Sequence, residues 1–406
     1  MKRLILWMAL LSTASGMFAQ KKNFEYKIYG QVRADLFYNT RANEETVDGL
    51  FYMYPKDIRY DANHNDLNAT PNGSLYVLYT RLGLDVKGPM IGNAKTSAKV
   101  EMDFRGAGSN FSLIRLRQAY LNLSWEKANL LVGQTWHPLF GDVSPQILNL
   151  ATGAPFQPFG RAPMVRFQYQ CNKVRFTAAA IWQSQFKSAG PAGKSIDYLK
   201  YGCVPEFYVG ADYRNNGWIA GAGVEVLSLK PRKQSEVEER VYKVNERVTS
   251  VSGEAHLKYV DKDYMVAAKT ILASNLTHMS MLGGYGITAI DSRTGEMEYT
   301  PMRHSSTWVN AVYGNRWKPG IFMGYTKNLG TKKALVSNMC YGIGTDVDQL
   351  MTCGAELTYN LPHWKFGAEY MFSNVWYGDL NRESGKIDQT HTVNNHRVVV
   401  SALFMF

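Results

Sequence analysis

The sequence predicts an all-β fold, namely a transmembrane antiparallel β-barrel of about sixteen strands whose third long loop folds inward. Apolar and polar residues alternate with period two along most of the chain, and short and long connections between these segments also alternate. Alternation gives each strand one apolar and one polar face. No window after the N-terminal region carries the roughly 18 apolar residues of a membrane-spanning helix.

The composition excludes two broad classes of protein. The chain has 406 residues, of which 45% are hydrophobic and 13% aromatic, with 35 Gly, 14 Pro and a formal net charge of +11. A disordered chain would be poor in aromatic residues. A mean hydropathy of −0.27 is too low for a helical membrane protein.

Residues 1–19 are predicted to be a secretory signal peptide. Lys2 and Arg3 form a basic start, an apolar run covers residues 4–11, and small residues lead to Ala19. We expect cleavage after Ala19, so that residues 20–406 form the mature outer-membrane barrel domain. A membrane anchor is the alternative, but the apolar run is far shorter than the ~20 residues that it requires.

The first predicted strand, residues 26–38, shows the alternation most clearly. Ile28, Val32 and Leu36 share one face, whereas Arg33 and Asp35 lie on the other. The same pattern predicts the remaining strands at residues 74–87, 95–105, 113–125, 129–137, 164–170, 174–185, 203–214, 218–229, 248–260, 264–275, 306–315, 320–328, 351–360, 364–377 and 392–406.

The connections support a barrel in a membrane. Seven are short and rich in Gly, Pro, Asn and Asp, and eight are longer, at residues 39–73, 106–112, 138–163, 186–202, 230–247, 276–305, 329–350 and 378–391. An even strand number with short periplasmic turns and long outer loops is typical of outer-membrane barrels. A soluble β-sandwich or β-helix is the alternative, but its outer face would be polar.

The predicted lumen face carries a basic wall on the first seven strands. Its members are Arg33, Arg81, Arg105, Arg115, Arg117, Arg166 and Arg175. A wall of one sign in a narrow channel concentrates counter-ions, which favours an anion-preferring pore. In the alternative interpretation these arginines pair with Asp35, Asp85, Glu101 and Asp103 in a structural network.

The third long loop, residues 138–163, is rich in Pro and aromatic residues and low in charge. We therefore expect it to fold inward and narrow the channel, with Asp142, Gln146, Asn149 and Arg161 lining the constriction opposite the basic wall. The alternative is an outer loop that packs on a neighbouring subunit.

Three segments and the C-terminus carry a family resemblance. They are YTRLGLDVKGP at residues 79–89, RLRQAYLNL at 115–123, LLVGQTWHPLF at 130–140, and a last strand that alternates up to Phe406. In these the chain resembles the trimeric general porins of outer membranes and, within them, the DcaP-like porins. The terminal Phe406 resembles the signal that the barrel assembly machinery reads.

The resemblance implies a homotrimer of sixteen-stranded barrels, each narrowed by its third loop. It also implies negatively charged substrates such as dicarboxylates, with Arg115, Arg117 and Arg166 as the basic wall. The chain departs from the family in two respects: it lacks the N-terminal coiled-coil extension of some members, and its third loop lacks the acidic cluster of cation-selective porins.

Other candidate sites carry weaker signals. Residues 61–68 have the D-x-N-x-N spacing of a calcium loop, although a solvated polar loop is the alternative. Cys340 and Cys353 are close enough in sequence to form a disulfide, or all four cysteines are free thiols. The eight His show no metal-binding spacing, so no metal or other cofactor is predicted.

The sequence therefore predicts a non-enzymatic outer-membrane porin for passive diffusion of small, hydrophilic, anionic solutes. Its expected partners are outer-membrane lipid, the solutes, two further copies of the chain and the assembly machinery, and no nucleic acid. The alternatives are a structural or adhesive barrel, or a barrel hydrolase that uses His256 with Ser250 or Ser252. An energised transporter needs about 22 strands, for which the chain is too short.

Overall fold

A closed ring of antiparallel strands dominates the computed structural model, which describes residues 24–46, 50–106 and 112–406. The predicted signal peptide and its cleavage position lie outside the described residues. None of the helices in those three ranges is long and apolar enough to cross a membrane.

Sixteen strands form the barrel, because two of the seventeen segments in the sheet are pieces of one strand. We number them β1 (Glu25–Asn39), β2 (Asn72–Tyr76 and Arg81–Lys87), β3 (Lys95–Asp103), β4 (Arg115–Ser124), β5 (Ala128–Trp136), β6 (Arg161–Cys171), β7 (Val174–Ile181), β8 (Glu206–Asn215), β9 (Trp218–Leu229), β10 (Val248–Val260), β11 (Tyr264–Ser274), β12 (Arg303–Tyr313), β13 (Trp317–Gly330), β14 (Val347–Leu361), β15 (Trp364–Leu380) and β16 (Ile387–Met405).

The long connections contain shorter elements. These are the hairpin of Asn43–Thr46 and Phe51–Pro55, the hairpin of Gln234–Val237 and Arg240–Lys243, and a three-stranded sheet of Gly283–Ile290, Met297–Pro301 and Cys340–Ile343. Leu150–Gly153 and Thr277–Met279 are single 3₁₀ turns, and Asp197–Lys200 is one turn of α-helix, α1.

The barrel closes where β1 pairs antiparallel with β16, from Gln31 opposite Met405 to Asn39 opposite Arg397. Phe406 extends this seam, because its backbone exchanges hydrogen bonds of 3.0 and 3.1 Å with Gly30. Closure removes every unpaired strand edge, as a sheet surrounded by hydrocarbon requires. The predicted all-β fold of about sixteen strands is confirmed. Short and long connections alternate as far as β15, but the last connection, predicted at residues 378–391, is only residues 381–386, because β15 and β16 extend beyond the predicted strands.

The second strand is expected to be one continuous segment over residues 74–87, but the structure shows two pieces. It is interrupted after Tyr76 by a turn in which the Thr80 N–H donates to the Val77 carbonyl at 3.0 Å. The turn places the Tyr79 ring under the guanidinium of Arg33, 5.1 Å away, and that of Arg105, 4.3 Å away. The sequence pattern did not indicate this break, because alternation continues on both sides of it.

The outer face of the barrel is apolar and the inner face is mixed. In β13, for example, Ile321 and Met323 are exposed, whereas the side chains of Phe322 and Thr326 are buried inside. Aromatic pairs lie near the short turns, where Trp218 packs on Tyr259 and Trp317 on Tyr359, each at 4.6 Å between ring centroids. Such a belt is typical of the membrane–water boundary.

The short turns need left-handed backbone at their tips. Asn216 and Gly217 have φ of 47° and 84° between β8 and β9. An Asn-Gly pair is favoured at these positions, since its turn matches the twist of the flanking strands. A Cβ at residue 217 would lie 2.3 Å from the Val260 carbonyl oxygen, so no larger residue fits there without movement.

Part of the interior is filled by a hydrophobic core. The core joins side chains of two long loops, including Phe51, Phe140, Phe156 and Phe159, to inward residues of the wall such as Trp308. A sixteen-stranded barrel encloses more space than its own wall can fill. Apolar loop residues therefore bury their surface inside it.

We predict that Phe156→Ala lowers the free energy of unfolding by about 3–5 kcal/mol, because Phe156 is fully buried and a cavity would replace its ring. Its ring packs directly over Gly324 of β13, where an added Cβ would lie 2.4 Å from Cγ. Urea unfolding of the barrel in lipid vesicles, followed by tryptophan fluorescence, measures the change. Ile321→Ala, on the lipid face of the same strand, is the control; an equal loss in both variants would contradict an interior core.

Candidate functional site: the lumen and its third loop

The third long connection, L3 (residues 137–160, between β5 and β6), crosses the interior of the barrel. The backbone N–H of Asn149 donates to Glu369 of β15 at 3.0 Å, and that of Gln146 donates to Asn310 of β12 at 2.7 Å. The Leu148 carbonyl accepts from Arg33 of β1 at 3.0 Å. These strands belong to the side of the barrel opposite β5 and β6, where the loop begins and ends, so L3 crosses the lumen.

The root of L3 is attached to a further part of the wall. The ammonium group of Lys269, on β11, donates to the carbonyls of Leu139 at 2.7 Å and Phe140 at 2.9 Å. Farther along the loop, the indole N–H of Trp308 donates to Gln157 at 2.6 Å. Buried carbonyls and amides of a loop need such partners, so the polar wall residues allow L3 to lie inside.

The face of L3 toward the short turns carries two exposed polar residues, Asp142 and Gln146. Arg175 and Arg214 donate to the Asp142 carboxylate at 2.8 and 2.5 Å, and Lys318 donates to the Gln146 side-chain oxygen at 2.8 Å. All three basic residues lie within three positions of a short turn. The turn side of the lumen is thus a vestibule with a basic lining.

Most arginines of the predicted basic wall are paired with acids. Arg33 binds Asp35 at 2.7 Å, and Arg115 binds Asp103 at 2.6 Å. Arg117 reaches both Glu101 and Asp103 at 2.7 Å, and Arg81 lies 3.8 Å from Glu101. The geometry of these residues is that of the ionic network that the sequence left open as an alternative. Ion pairs this deeply buried fix side-chain positions more than they add stability.

The remaining members of that wall are placed differently. Arg105 is buried, stacks on Tyr79 and donates to its hydroxyl at 2.9 Å. Arg166 is half-buried on β6, and its Nε makes no hydrogen bond with any described residue. Arg175 lies in the vestibule and binds Asp142 directly, whereas the sequence predicted that Asp142 lies opposite the basic wall.

The predicted constriction residues divide into two pairs. Asp142 and Gln146 are exposed in the lumen, whereas Asn149 and Arg161 are each only 1% exposed. Asn149 anchors L3 to the wall and to the Leu50 carbonyl of the first loop, at 3.0 Å. The sequence could not separate the two pairs, because it predicted all four residues in one loop of low charge, whereas Arg161 is the first residue of β6.

Arg161 is the most unusual residue of the site. Its guanidinium lies 4.5 Å from the centre of the Trp136 ring and 5.5 Å from that of Phe186. Its Nε and Nη1 are buried and make no hydrogen bond with any described residue. Arg115 and Arg117 are its charged neighbours, and Asp103 is the nearest compensating acid. Six arginines (33, 81, 105, 115, 117 and 161) therefore share this part of the lumen with three carboxylates (35, 101 and 103), and Glu356 and Glu369 bind L3 beside Arg33.

The outer mouth, on the side of the long loops, is of mixed charge. A cavity of about 650 Å³ is lined there by Glu44, Asp57, Asp346, Lys56 and Lys194, among others. Its lining holds both acids and bases, so the mouth does not favour one sign of solute as clearly as the arginine cluster does.

The other sequence candidates are placed as follows. The Asp61 carboxylate accepts the N–H groups of Asn65 and Asn63 at 2.8 Å, and these hydrogen bonds lower the pKa of Asp61, as in a polar turn. All four cysteines are free thiols, and burial raises the pKa of Cys340 to about 11. His256 contacts Glu254 at 2.8 Å and Asp212 at 3.1 Å; neither Ser250 nor Ser252 hydrogen-bonds to it.

Sequence reasoning missed several residues of the site. Trp136 and Phe186 hold Arg161, Tyr79 holds two other arginines, and Arg214 shares Asp142 with Arg175. The aromatic residues gave no signal, because they look like ordinary members of an apolar face or of a membrane belt. Arg214 gave no signal of its partner either, because Asp142 in L3 is 72 residues away.

A closed sixteen-stranded barrel with an apolar outside and a loop across its lumen has the fold of an outer-membrane porin. The channel DcaP of Acinetobacter baumannii has the same fold, with a TM-score of 0.68 at 19% identity over 95% of this chain and 99% of that chain. The predicted resemblance to general porins and to DcaP is confirmed at the level of the fold.

Two other solved structures are similar over nearly their full length. An anion-selective porin of Comamonas acidovorans gives a TM-score of 0.55 at 12% identity, over 94% of this chain and 100% of that chain. The trimer form of OmpT, an outer-membrane protein of Vibrio cholerae, gives 0.55 at 14%, over 95% and 100%. These neighbours support the predicted outer-membrane location. No protein-family model and no curated protein matches the chain.

We predict that Asp142→Asn increases the preference of the lumen for anions, because it removes one of the two acids that Arg175 and Arg214 share, the other being Asp212. Stability should change by no more than about 1 kcal/mol, since this ion pair is partly exposed to water. Reversal potentials in a salt gradient across a planar bilayer measure the change. Asp61→Asn, in the outer loop, is the matched control and should leave the reversal potential unaltered; an equal shift in both variants would contradict a role for the vestibule.

Proposed function

We propose that the chain is an outer-membrane porin through which small anionic solutes, with dicarboxylates as the first candidates, diffuse passively. The observation that carries the proposal is the buried, incompletely bonded guanidinium of Arg161 within a cluster of arginines at the level of L3. No carboxylate forms an ion pair with this guanidinium among the described residues, so its positive charge adds to the field of the passage and attracts an anionic solute.

The electrostatics of the lumen support the same direction of selectivity. The ionic network of β1–β4 cancels only part of its positive charge, and the vestibule adds Arg175, Arg214 and Lys318 on the turn side. Low-dielectric walls strengthen the field of such charges inside a narrow passage. An anion therefore meets favourable charge at the level of L3 and beyond it, and no catalytic step is needed.

The neighbours by structure support the class and, more loosely, the selectivity. DcaP is described as an outer-membrane channel, and the Comamonas protein as an anion-selective porin. A trimer form is described for OmpT, which supports a homotrimer here. The further partners that we propose are lipid around the apolar belt and the assembly machinery at the strand that ends in Phe406.

The test is conductance in planar bilayers. We expect open, ohmic channels whose reversal potential in a potassium chloride gradient reports anion preference, and whose chloride current falls when succinate is added. Arg161→Gln should reduce both effects, because it removes the positive charge that is least compensated. Arg316→Gln, on the exposed turn rim, is the matched control.

The choice of residue matters for this test. Removing Arg115 and Arg117 together would remove the shortest ion pairs of the buried Glu101 and Asp103, which costs about 3–5 kcal/mol and confounds selectivity with folding. Arg161 leaves no acid unpaired among its hydrogen-bond partners. Cation preference in the wild type, or identical behaviour of Arg161→Gln and Arg316→Gln, would overturn the proposal.

A further inference from the structure

A second buried polar cluster lies where two inward loops meet the wall, away from the arginine cluster. It consists of His137 at the root of L3, His278 in the 3₁₀ turn of the sixth loop (residues 275–302), and Glu206 at the start of β8. All three are almost completely buried, at 0%, 3% and 0% exposure. One donor atom from each lies within 4.8 Å of the others.

The contacts within the cluster leave several of its atoms without a hydrogen bond. His137 Nε2 lies 2.7 Å from Glu206 Oε1, and His278 Nε2 lies 3.0 Å from Oε2 of the same carboxylate. The second contact lacks hydrogen-bond geometry, and neither ring nitrogen of His278 has any other hydrogen-bond partner among the described residues. Buried polar atoms are seldom left in this state, since each costs the free energy of its lost hydration.

A neighbouring carboxylate adds to the uncompensated charge. Glu225 of β9 pairs in register with Tyr208, so it lies diagonally across from Glu206 on the same inner face. It is fully buried, and neither of its oxygens makes a hydrogen bond with a described residue. Two carboxylates and two imidazoles are thus enclosed together, and no Lys or Arg forms an ion pair with them in the described part of the chain.

We propose that His137, Glu206 and His278 form a binding site for a divalent transition-metal ion of the zinc type. Two imidazoles and one carboxylate are a ligand set that zinc accepts in proteins, whereas calcium and magnesium prefer oxygen ligands alone. One divalent cation balances the formal charges of Glu206 and Glu225. Glu225, in the adjacent strand, is our candidate for the remaining coordination position.

The position of the site indicates a structural role for the ion. It joins L3, the sixth loop and the wall at one point, next to the contact in which the Phe159 N–H donates to the Met279 carbonyl at 2.8 Å. An ion there fixes the root of the loop that narrows the lumen. The site is buried among protein atoms, away from the passage, so the ion is a cross-link and not a Lewis acid for a solute.

The competing arrangement is a metal-free junction held by hydrogen bonds. The Leu139 N–H donates to His137 Nδ1 at 3.1 Å, which leaves the hydrogen of a neutral ring on Nε2, facing Glu206. An ion that binds through Nε2 requires the other tautomer, with the hydrogen on Nδ1, and so replaces the Leu139 hydrogen bond. The contact with Leu139 therefore belongs to the metal-free form. Measuring the metal content of the protein tells the two forms apart.

Metal analysis distinguishes them. The full chain is expressed with zinc in the medium and purified in detergent without chelators, and its metal content is measured by inductively coupled plasma mass spectrometry. We expect about one zinc ion per wild-type chain. His137→Asn with His278→Asn should lower that content at least about tenfold, because both nitrogen ligands are lost.

The matched control is His64→Asn with His363→Asn. Both histidines are exposed and have φ above 60°, a conformation that Asn tolerates, so the control changes two imidazoles without strain. It should keep the zinc of the wild type. A wild-type zinc content no higher than that of the double variant at positions 137 and 278, or an equal loss in the control, would overturn the proposal.

A measurement on the wild type alone covers the case in which the variant does not fold. X-ray absorption at the zinc edge should show imidazole nitrogen ligands at about 2.0–2.1 Å. An oxygen-only or sulfur-containing shell would overturn the assignment. Neither measurement depends on the solute of the channel, so the metal site and the proposed function can fail independently.

Discussion

The whole structure depends on one constraint: in hydrocarbon, every backbone N–H and C=O must find a partner within the protein. Closure of β1 on β16 satisfies it for the strands. In a closed sheet, one face of each strand points to lipid and the other to the lumen. Successive side chains of a strand point to opposite faces, so they alternate between lipid and lumen. The closed ring follows from the constraint, and because every strand pair in the ring is antiparallel, the number of strands is even.

The interior obeys a related rule. Loop segments can enter the barrel only where the wall offers partners for their peptide groups, and L3 finds them in Arg33, Asn310 and Lys269. Its aromatic residues then complete a core that the wall alone could not fill. The lumen is consequently divided into two parts. L3 fills the packed part, and the part beside the arginines remains charged.

Charge in the lumen is organised by pairing rather than by a uniform wall. Arg117 joins Glu101 and Asp103 across two strands, so most of the positive charge is held in place by buried acids. Such a network gives rigid positions, whereas selectivity must come from the charges left over. Arg161 is the clearest of these, because aromatic rings and not carboxylates surround its guanidinium. A count of lumen arginines therefore overstates the field that a solute meets.

The sequence by itself determined the class of fold, all sixteen strands, the alternation of turns and loops, and the lumen side of residues such as Arg81 and Glu101. Period-two patterning is a local property, and each strand displays it without reference to its neighbours. Tertiary structure alone decided which arginine meets which acid, that Asn149 and Arg161 are buried while Asp142 is exposed, and that His137 and His278 meet at Glu206. The physical reason is that these contacts join residues far apart in the chain, 69 residues for His137 and Glu206, and depend on how loops dock inside the barrel, which no local pattern records.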